Sequence, residues 1–326
     1  MAVVDSSVPP VGPAPLVSAE PVRTQNPSTP LGDIWKRLRR RRSAVIGMVV
    51  LGFLVLVAVF APQIAPYDPE QVLIGVEKVK PREKPCIHLL GCPADKPQHL
   101  MGLDGNVRDV FSRLVFGARV SLAIGLITVT FAIVIGTLLG ALAGYAGGWI
   151  DNVIMRFMDV LLAFPALLLA IAIVTVLGPD LVNALIAIGI VSIPAYARVV
   201  RASVLSIKEQ DFVAASRALG ASPMHILFYR VLPNALTPLI VQGTLGIASA
   251  ILDSAALSFL GLGAQPPTPE WGAMLGAERG QVFTAPHLVF FPGIAIMLTV
   301  LGFNLLGDGL RDALDPRLAQ AGIKLK

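Results

Sequence analysis

Charged side chains are scarce in this sequence: 14% of its 326 residues are Asp, Glu, Lys or Arg, whereas 55% are hydrophobic. Soluble globular domains carry about a quarter charged residues, so this composition excludes an ordinary soluble protein. The 26 basic residues exceed the 21 acidic ones, which gives a formal charge of +5. In so apolar a chain, this balance favours contact with anionic membrane lipid, not with nucleic acid.

The motifs of several enzyme classes are also missing. The chain has no G-x-x-x-x-G-K-[ST] sequence, so it does not hold ATP phosphates in the manner of a P-loop. It has no H-E-x-x-H or G-x-S-x-G sequence, and its four histidines are scattered. No series of acids and histidines runs through the apolar segments, as a proton relay requires. We expect a non-catalytic protein that binds no cofactor and takes its energy from another subunit.

Apolar runs of membrane-spanning length are abundant. A hydrocarbon core about 30 Å thick needs about 20 residues of helix. Six runs are long enough: residues 44–61, 119–143, 154–177, 181–199, 235–261 and 288–306. They predict an all-α membrane protein with six transmembrane helices, which places both termini on the same side.

The distribution of Lys and Arg predicts which side that is. A basic block from Lys36 to Arg42 precedes the first apolar run. Basic residues collect on the inner side of membranes, so both termini are expected in the cytoplasm and the protein in the plasma (inner) membrane.

Four regions follow from this topology. Residues 1–35 are rich in proline and lack apolar periodicity, which predicts a disordered cytoplasmic tail. Residues 36–118 contain the first span and a long extracytoplasmic loop. Residues 119–306 contain spans 2–6 and an inner loop at 203–234, and residues 307–326 form a cytoplasmic tail.

The outer loop contains the two cysteines of the chain, Cys86 and Cys92. Outside the cell this pair favours a disulfide, although two free thiols remain an alternative. A third possibility is a metal site completed by His88 and His99. Apolar residues at helical spacing predict that the loop ends in an amphipathic surface helix, from Asn106 to Arg119, that runs into span 2.

Two patterns within the spans leave alternatives open. Gly136, Gly140 and Gly144 line one face of span 2, where another helix of this chain or of a second subunit can approach closely. Arg156 and Asp159 are spaced for an ion pair on one helix, or they form a second contact for a partner protein.

A single acid, Asp253, lies deep in the fifth apolar run. A charge there is costly unless it faces a cavity, a polar partner or water. Asp253 and Ser258, on the same predicted helix, are therefore candidates for a translocation pathway. The alternative for Asp253 is a neutralised packing group near the outer end of the helix.

The inner loop between spans 4 and 5 is rich in helix formers instead of turn residues. Gly220 can end a helix formed by the residues before it, and Ser222-Pro223 can begin another; the helix formers are Ala214, Ala215, Arg217, Ala218 and Leu219. A structured inner loop of this kind predicts a partner protein that contacts it.

Several motifs in this order resemble the C-type permease of the dipeptide/oligopeptide/nickel family of ABC importers. Residues 214–220, AASRALG, followed by Leu232-Pro233, resemble the EAA loop of such permeases. The sequences GLDGNVRDVFSRLVFGARVSL, AALSFLGLGAQPPTPEWG and DALDPRL narrow the resemblance, which covers residues 35–318.

The resemblance implies a type I ABC importer permease fold. It also implies three kinds of partner: a homologous second permease subunit, two cytoplasmic ATPases that bind ATP and Mg²⁺, and an extracytoplasmic substrate-binding protein. The chain would form half of a pathway for di- and oligopeptides; nickel chelates, glutathione or sugars are alternative cargoes. An ATP-independent channel or carrier, or a structural membrane scaffold, would be a different class of function.

The resemblance also assigns candidate site residues. ATPase docking falls on the inner loop, at Asp211, Ala214, Ala215, Ser216, Arg217, Leu219 and Gly220. The sequence departs from the family where Ala214 replaces the expected Glu and Ser216 replaces the second Ala, and Asp211, one turn earlier, is a candidate substitute acid. The motif before span 2 supplies an outer-gate set: Arg108, Asp109 and Arg113.

Overall fold

A computed structural model describes residues 30–314, and the predictions for residues 1–29 and 315–326 lie outside this range. Within it, twelve α-helices account for almost all regular structure. They are α1 (Pro30–Arg40), α2 (Arg42–Val59), α3 (Ala61–Ile64), α4 (Val110–Ala146), α5 (Gly148–Leu162), α6 (Ala166–Leu177), α7 (Leu181–Ile207), α8 (Asp211–Ala218), α9 (Pro223–Ile226), α10 (Leu232–Phe259), α11 (Trp271–Glu278) and α12 (His287–Leu314).

Five of the helical segments in the described range are long and apolar enough to cross a membrane: α2, α4, α7, α12 and the continuous segment from α9 through α10. The pair α5–α6 qualifies only as one broken span, with a bend of 91° between its halves. The chain is therefore a multi-pass helical membrane protein, and its described residues contain five candidate spans, or six if the bent pair counts as one.

Several boundaries differ from the sequence predictions. Residues 30–35, expected in a disordered tail, begin helix α1. The predicted surface helix and span 2 form one helix of 37 residues, which starts at Val110 and not at Asn106. Asp109 sets that start because its side chain accepts a hydrogen bond from Ser112 N. The last span continues beyond residue 306, to Leu314.

The third apolar run is divided instead of forming one straight helix. Helix α5 ends at Leu162, and Pro165, which has no amide hydrogen to donate, precedes the first residue of α6. The backbone at Pro165 is extended, with ψ 128°, and this turns the chain.

The glycine face of α4 packs against α7 of the same chain. A Cβ atom at Gly136 would lie 2.7 Å from Tyr196 Cβ, and one at Gly144 would lie 2.9 Å from the carbonyl oxygen of Arg201. These positions require glycine because the two helix backbones approach too closely for a side chain. Of the two alternatives, the structure shows contact within the subunit.

The predicted pair of Arg156 with Asp159 is wrong. Asp159 pairs with Arg198 of α7 at 2.6 Å, and Asp151 accepts two hydrogen bonds from Arg201. Helices α5 and α7 lie side by side, so the long arginine side chains of α7 reach the α5 carboxylates. The ion pairs thus join two helices and do not stabilise the end of one.

The helices have two ends, named here by their contents. The disulfide end comprises residues 60–109 and 260–286, and the hairpin end comprises residues 208–226. Helix α1 lies at the hairpin end, where Leu38 is buried in a small cluster with Ala44 and Ala313.

Candidate functional site

At the hairpin end the chain forms the helix–glycine–helix that the sequence predicts. Helix α8 ends in a turn in which Gly220 has φ +82°, a conformation that favours glycine. The amide of Ala221 donates to Ser216 O at 3.1 Å and closes the turn. Ser222 Oγ accepts from His225 N and caps α9.

A few buried side chains hold this hairpin against the spans. Val213 of α8 and Ile226 of α9 are fully buried in the main core. Lys208 Nζ donates to the carbonyl of Gly144 at 3.1 Å, which joins the base of the hairpin to the end of α4. The hairpin therefore contacts the end of α4 and connects α7 to α10.

The opposite face of the hairpin is exposed. Six of the seven predicted docking residues are exposed; Ser216 is half-buried and donates its hydroxyl to Phe212 O. Leu219, at the tip, is 88% exposed. Phe212 and Met224 were not predicted from the sequence, and they are 39% and 65% exposed on the same hairpin. Phe212, Leu219 and Met224 together are called the hairpin surface below.

Asp253 lines a cavity of about 70 Å³ between α6, α7 and α10. Ser192 of α7 is the other polar side chain of the cavity, and the first turn of α6 contributes Ala166 and Leu167. Among the described residues, no hydrogen bond or ion pair includes Asp253.

Ser258 does not line the cavity that contains Asp253. It is 3% exposed, and its Oγ accepts a hydrogen bond from Ala264 N at 3.1 Å. This bond closes the turn after α10, so in this structure Ser258 shapes that turn and does not line the cavity.

Two of the three residues predicted as an outer gate, Arg108 and Arg113, share a buried polar network at the disulfide end. Arg108 pairs with Asp104 at 2.8 Å, and Arg113 lies 3.5 Å from the same carboxylate. Arg113 also donates to the carbonyls of Pro69 and Pro267. The network joins the loop, α4 and the 260–270 segment, and Asp104, its centre, was not identified from the sequence.

Asp109, the third of these residues, belongs to a neighbouring cluster around His99. His99 Nδ1 lies 3.0 Å from Asp109 Oδ1, and Nε2 lies 3.1 Å from Glu77 Oε2. Burial of the ring lowers its pKa, but the two carboxylates outweigh this and leave the pKa of His99 above its usual 6.5. Tyr67 donates to Glu77, and burial together with this carboxylate raises the pKa of the phenol to about 12.

Cys86 and Cys92 are joined by a disulfide in the structure. The alternative metal site is not assembled: both sulfurs are bonded to each other, His99 faces two carboxylates, and His88 Nε2 lies 2.9 Å from Lys96 O. Among residues 30–314, no cluster of three His, Cys, Asp or Glu residues is arranged to hold a metal ion.

Comparison with known proteins places this architecture in a family. Residues 136–320 match the model of the binding-protein-dependent transport system inner membrane component. Residues 29–81 match the N-terminal TM domain of oligopeptide transport permease C.

Three curated relatives are similar over almost the whole chain. The dipeptide transport system permease protein DppC of Alkalihalophilus pseudofirmus is 45% identical over 92% of this chain and 98% of its own length. The di/tripeptide transport system permease protein DppC of Pseudomonas aeruginosa is 47% identical over 90% of this chain and 94% of its own length. The glutathione transport system permease protein GsiD of Escherichia coli is 48% identical over 93% of this chain and 94% of its own length.

A solved structure of the MetNI methionine ABC transporter in an inward-facing conformation has the same fold. The match covers 62% of this chain and 96% of the chain in that structure, with a TM-score of 0.52 and 22% sequence identity. The chain therefore belongs to the family of binding-protein-dependent transport system inner membrane components, as a permease of the C type.

Proposed function

We propose that this permease forms half of the translocation pathway of an ATP-driven importer of di- and oligopeptides. The observation that carries the proposal is the hairpin surface. Large apolar side chains at the end of a membrane protein, beyond the apolar spans, indicate a protein partner. The names of two relatives, a dipeptide and a di/tripeptide permease, support the cargo.

In this proposal, the hairpin receives a cytoplasmic ATPase. Leu219 and Met224 supply exposed apolar anchors, and the positive φ of Gly220 produces the sharp turn that presents them. Because the hairpin is joined to α4, α7 and α10, displacement of the ATPase moves those spans as a unit. ATP and Mg²⁺ are held by two partner ATPases, and this chain acts as a non-catalytic subunit.

The proposed topology counts the bent pair α5–α6 as one span, which gives six. Both termini and the hairpin end then lie in the cytoplasm, and the disulfide end lies outside the plasma (inner) membrane. The basic helix α1 at the hairpin end and the Cys86–Cys92 disulfide at the other end support this direction. A homologous second permease and an extracytoplasmic substrate-binding protein complete the assembly.

Replacing Leu219 by Asp tests the docking. The variant puts a charge into the apolar contact, so ATPase co-purification and peptide uptake should both fall about tenfold or more, as for an interface hot spot. Leu89→Asp is the matched control, because Leu89 is 96% exposed at the disulfide end. Equal ATPase recovery with both variants would contradict the proposal.

Glutathione is the second candidate cargo, because one relative is a glutathione permease. Uptake of a labelled dipeptide into cells, in competition with glutathione, nickel chelates, sugars and unlabelled peptides, separates the two. If peptides are the cargo, unlabelled peptides should inhibit uptake of the labelled dipeptide at lower concentrations than glutathione, nickel chelates or sugars do.

A further inference from the structure

The cavity that contains Asp253 has the composition of a site for a cationic group. It is bordered by apolar side chains of α6 and α7, with one carboxylate and one hydroxyl. A carboxylate within a membrane span is costly unless a cation or water compensates it. No Lys, Arg or His of the described residues pairs with Asp253, which leaves its carboxylate available to a cation from outside the chain.

The size of the cavity limits what can enter. A volume of about 70 Å³ holds an ammonium group, but it is too small for a whole peptide. The Ser192 hydroxyl donates to Ile188 O at 2.8 Å, which leaves its oxygen free to accept a hydrogen bond from such a group.

We propose that Asp253 and Ser192 bind the α-ammonium group of a peptide during its passage between the permease subunits. This inference rests on the proposed function for its cargo. Asp253 supplies the opposite charge, and the Ser192 oxygen accepts a hydrogen bond from one of the three N–H groups of the ammonium. The largely apolar border lowers the local dielectric and strengthens the ion pair.

The first test does not depend on the cargo. In Ser192→Cys the thiol replaces the hydroxyl beside the intact acid, and both native cysteines are bonded to each other. The ratio of the modification rates by a positively and a negatively charged thiosulfonate reagent should be about tenfold higher at this thiol than at a free thiol in solution, because the carboxylate concentrates cations. This excess should disappear in Ser192→Cys/Asp253→Asn. A ratio equal to that of a free thiol in the presence of Asp253 would overturn the proposal.

The second test pairs a protein variant with a cargo variant. In proteoliposomes with saturating binding protein, alanyl-alanine is compared with N-propionyl-alanine, which lacks only the amino group. Asp253→Asn should lower alanyl-alanine import about tenfold and leave N-propionyl-alanine import unchanged, whereas Asp253→Glu should retain most of the import. The affinity of the binding protein for each cargo is measured separately, because that protein selects the cargo first.

The outcomes separate the proposed role of Asp253 from the proposed peptide cargo. Equal losses for both cargoes would show that Asp253 pairs with a partner subunit or serves assembly, and unchanged import of both would show a packing role; each contradicts the inference. If wild-type protein imports neither cargo, protection of the Ser192→Cys thiol by alanyl-alanine decides the inference. Absence of any peptide import or protection would refute the peptide cargo itself, even where the charge preference of the thiol persists.

Discussion

Among single residues, His99 links two separate segments of the disulfide end. Its ring is 2% exposed and lies between two carboxylates that belong to different segments. Asp109 caps the longest helix, and Glu77 belongs to the loop. His99 therefore fixes the loop to the start of α4, and the contact is strongest when the ring is protonated.

The raised pKa of His99 predicts a pH-dependent stability. A group whose pKa is higher in the folded state contributes stability that is fully present below its unfolded pKa, about 6.5, and is lost as the pH rises through the folded value. Replacing His99 by Gln should cost about 1.5–3 kcal/mol at pH 6 and less at alkaline pH. Thermal unfolding of the purified protein across this range measures the difference.

His88 provides the control for this prediction. It is exposed in the same loop, and within residues 30–314 no carboxylate lies at hydrogen-bonding distance from its ring. His88→Gln should leave the pH profile unchanged, and a constant difference between wild type and His99→Gln at every pH would contradict the prediction.

At the scale of elements, the contact between α4 and α7 depends on the absence of side chains. A Cβ at Gly140 would meet the carbonyl oxygen of Ala197, a backbone atom that cannot move aside, and would lie 3.0 Å from Val200 Cβ. The two helices form the centre of the core, so a small addition there affects the whole molecule.

Gly140→Ala should therefore destabilise the protein by about 1–3 kcal/mol through overpacking. The same substitution at Gly52 of α2 is the control, because a Cβ there meets no atom within 4 Å. Gly52→Ala should be neutral or stabilise by up to about 1 kcal/mol. Unfolding temperatures in detergent, with retention of the monodisperse elution peak, measure both; equal effects at the two positions would argue against close contact at Gly140.

The break between α5 and α6 is a second feature at this scale. Two ion pairs join α5 to α7, whereas α6 begins beside the cavity that contains Asp253. The sequence shows one apolar run across this region, because hydropathy measures how apolar the residues are and not the direction in which the helix axis runs. The path of the chain after Pro165 depends on which helices it packs against.

At the scale of the whole molecule, the proposed topology can be tested by labelling. In a background with Cys86→Ser and Cys92→Ser, Lys78→Cys marks the disulfide end and Glu209→Cys the hairpin end, both at exposed positions. An impermeant maleimide should label Lys78→Cys in intact cells and Glu209→Cys only after permeabilisation. Labelling of both in intact cells, or in the opposite order, would refute the proposed orientation.

The resemblance identified most of the hairpin residues, because they follow one another along the chain. Phe212 and Met224 could not be found in this way, since their exposure depends on Val213 and Ile226 facing the core. The sequence pointed to the outer-gate residues but not to the buried network around two of them. Asp104, the centre of that network, lies beside Arg108 and Arg113 only after the loop folds.

Four features can be predicted without coordinates: the class of the protein, the approximate positions of the apolar runs, the glycine face of α4 and the helical hairpin. All of these follow from composition or from periodicity over one or two helical turns. The contacts between distant segments are visible only once the chain is folded: His99 with Glu77 across 22 positions, Arg201 with Asp151 across 50, and Arg82 with Glu278 across 196. Such pairs depend on how the helices pack, and local patterns in a sequence contain no record of that packing.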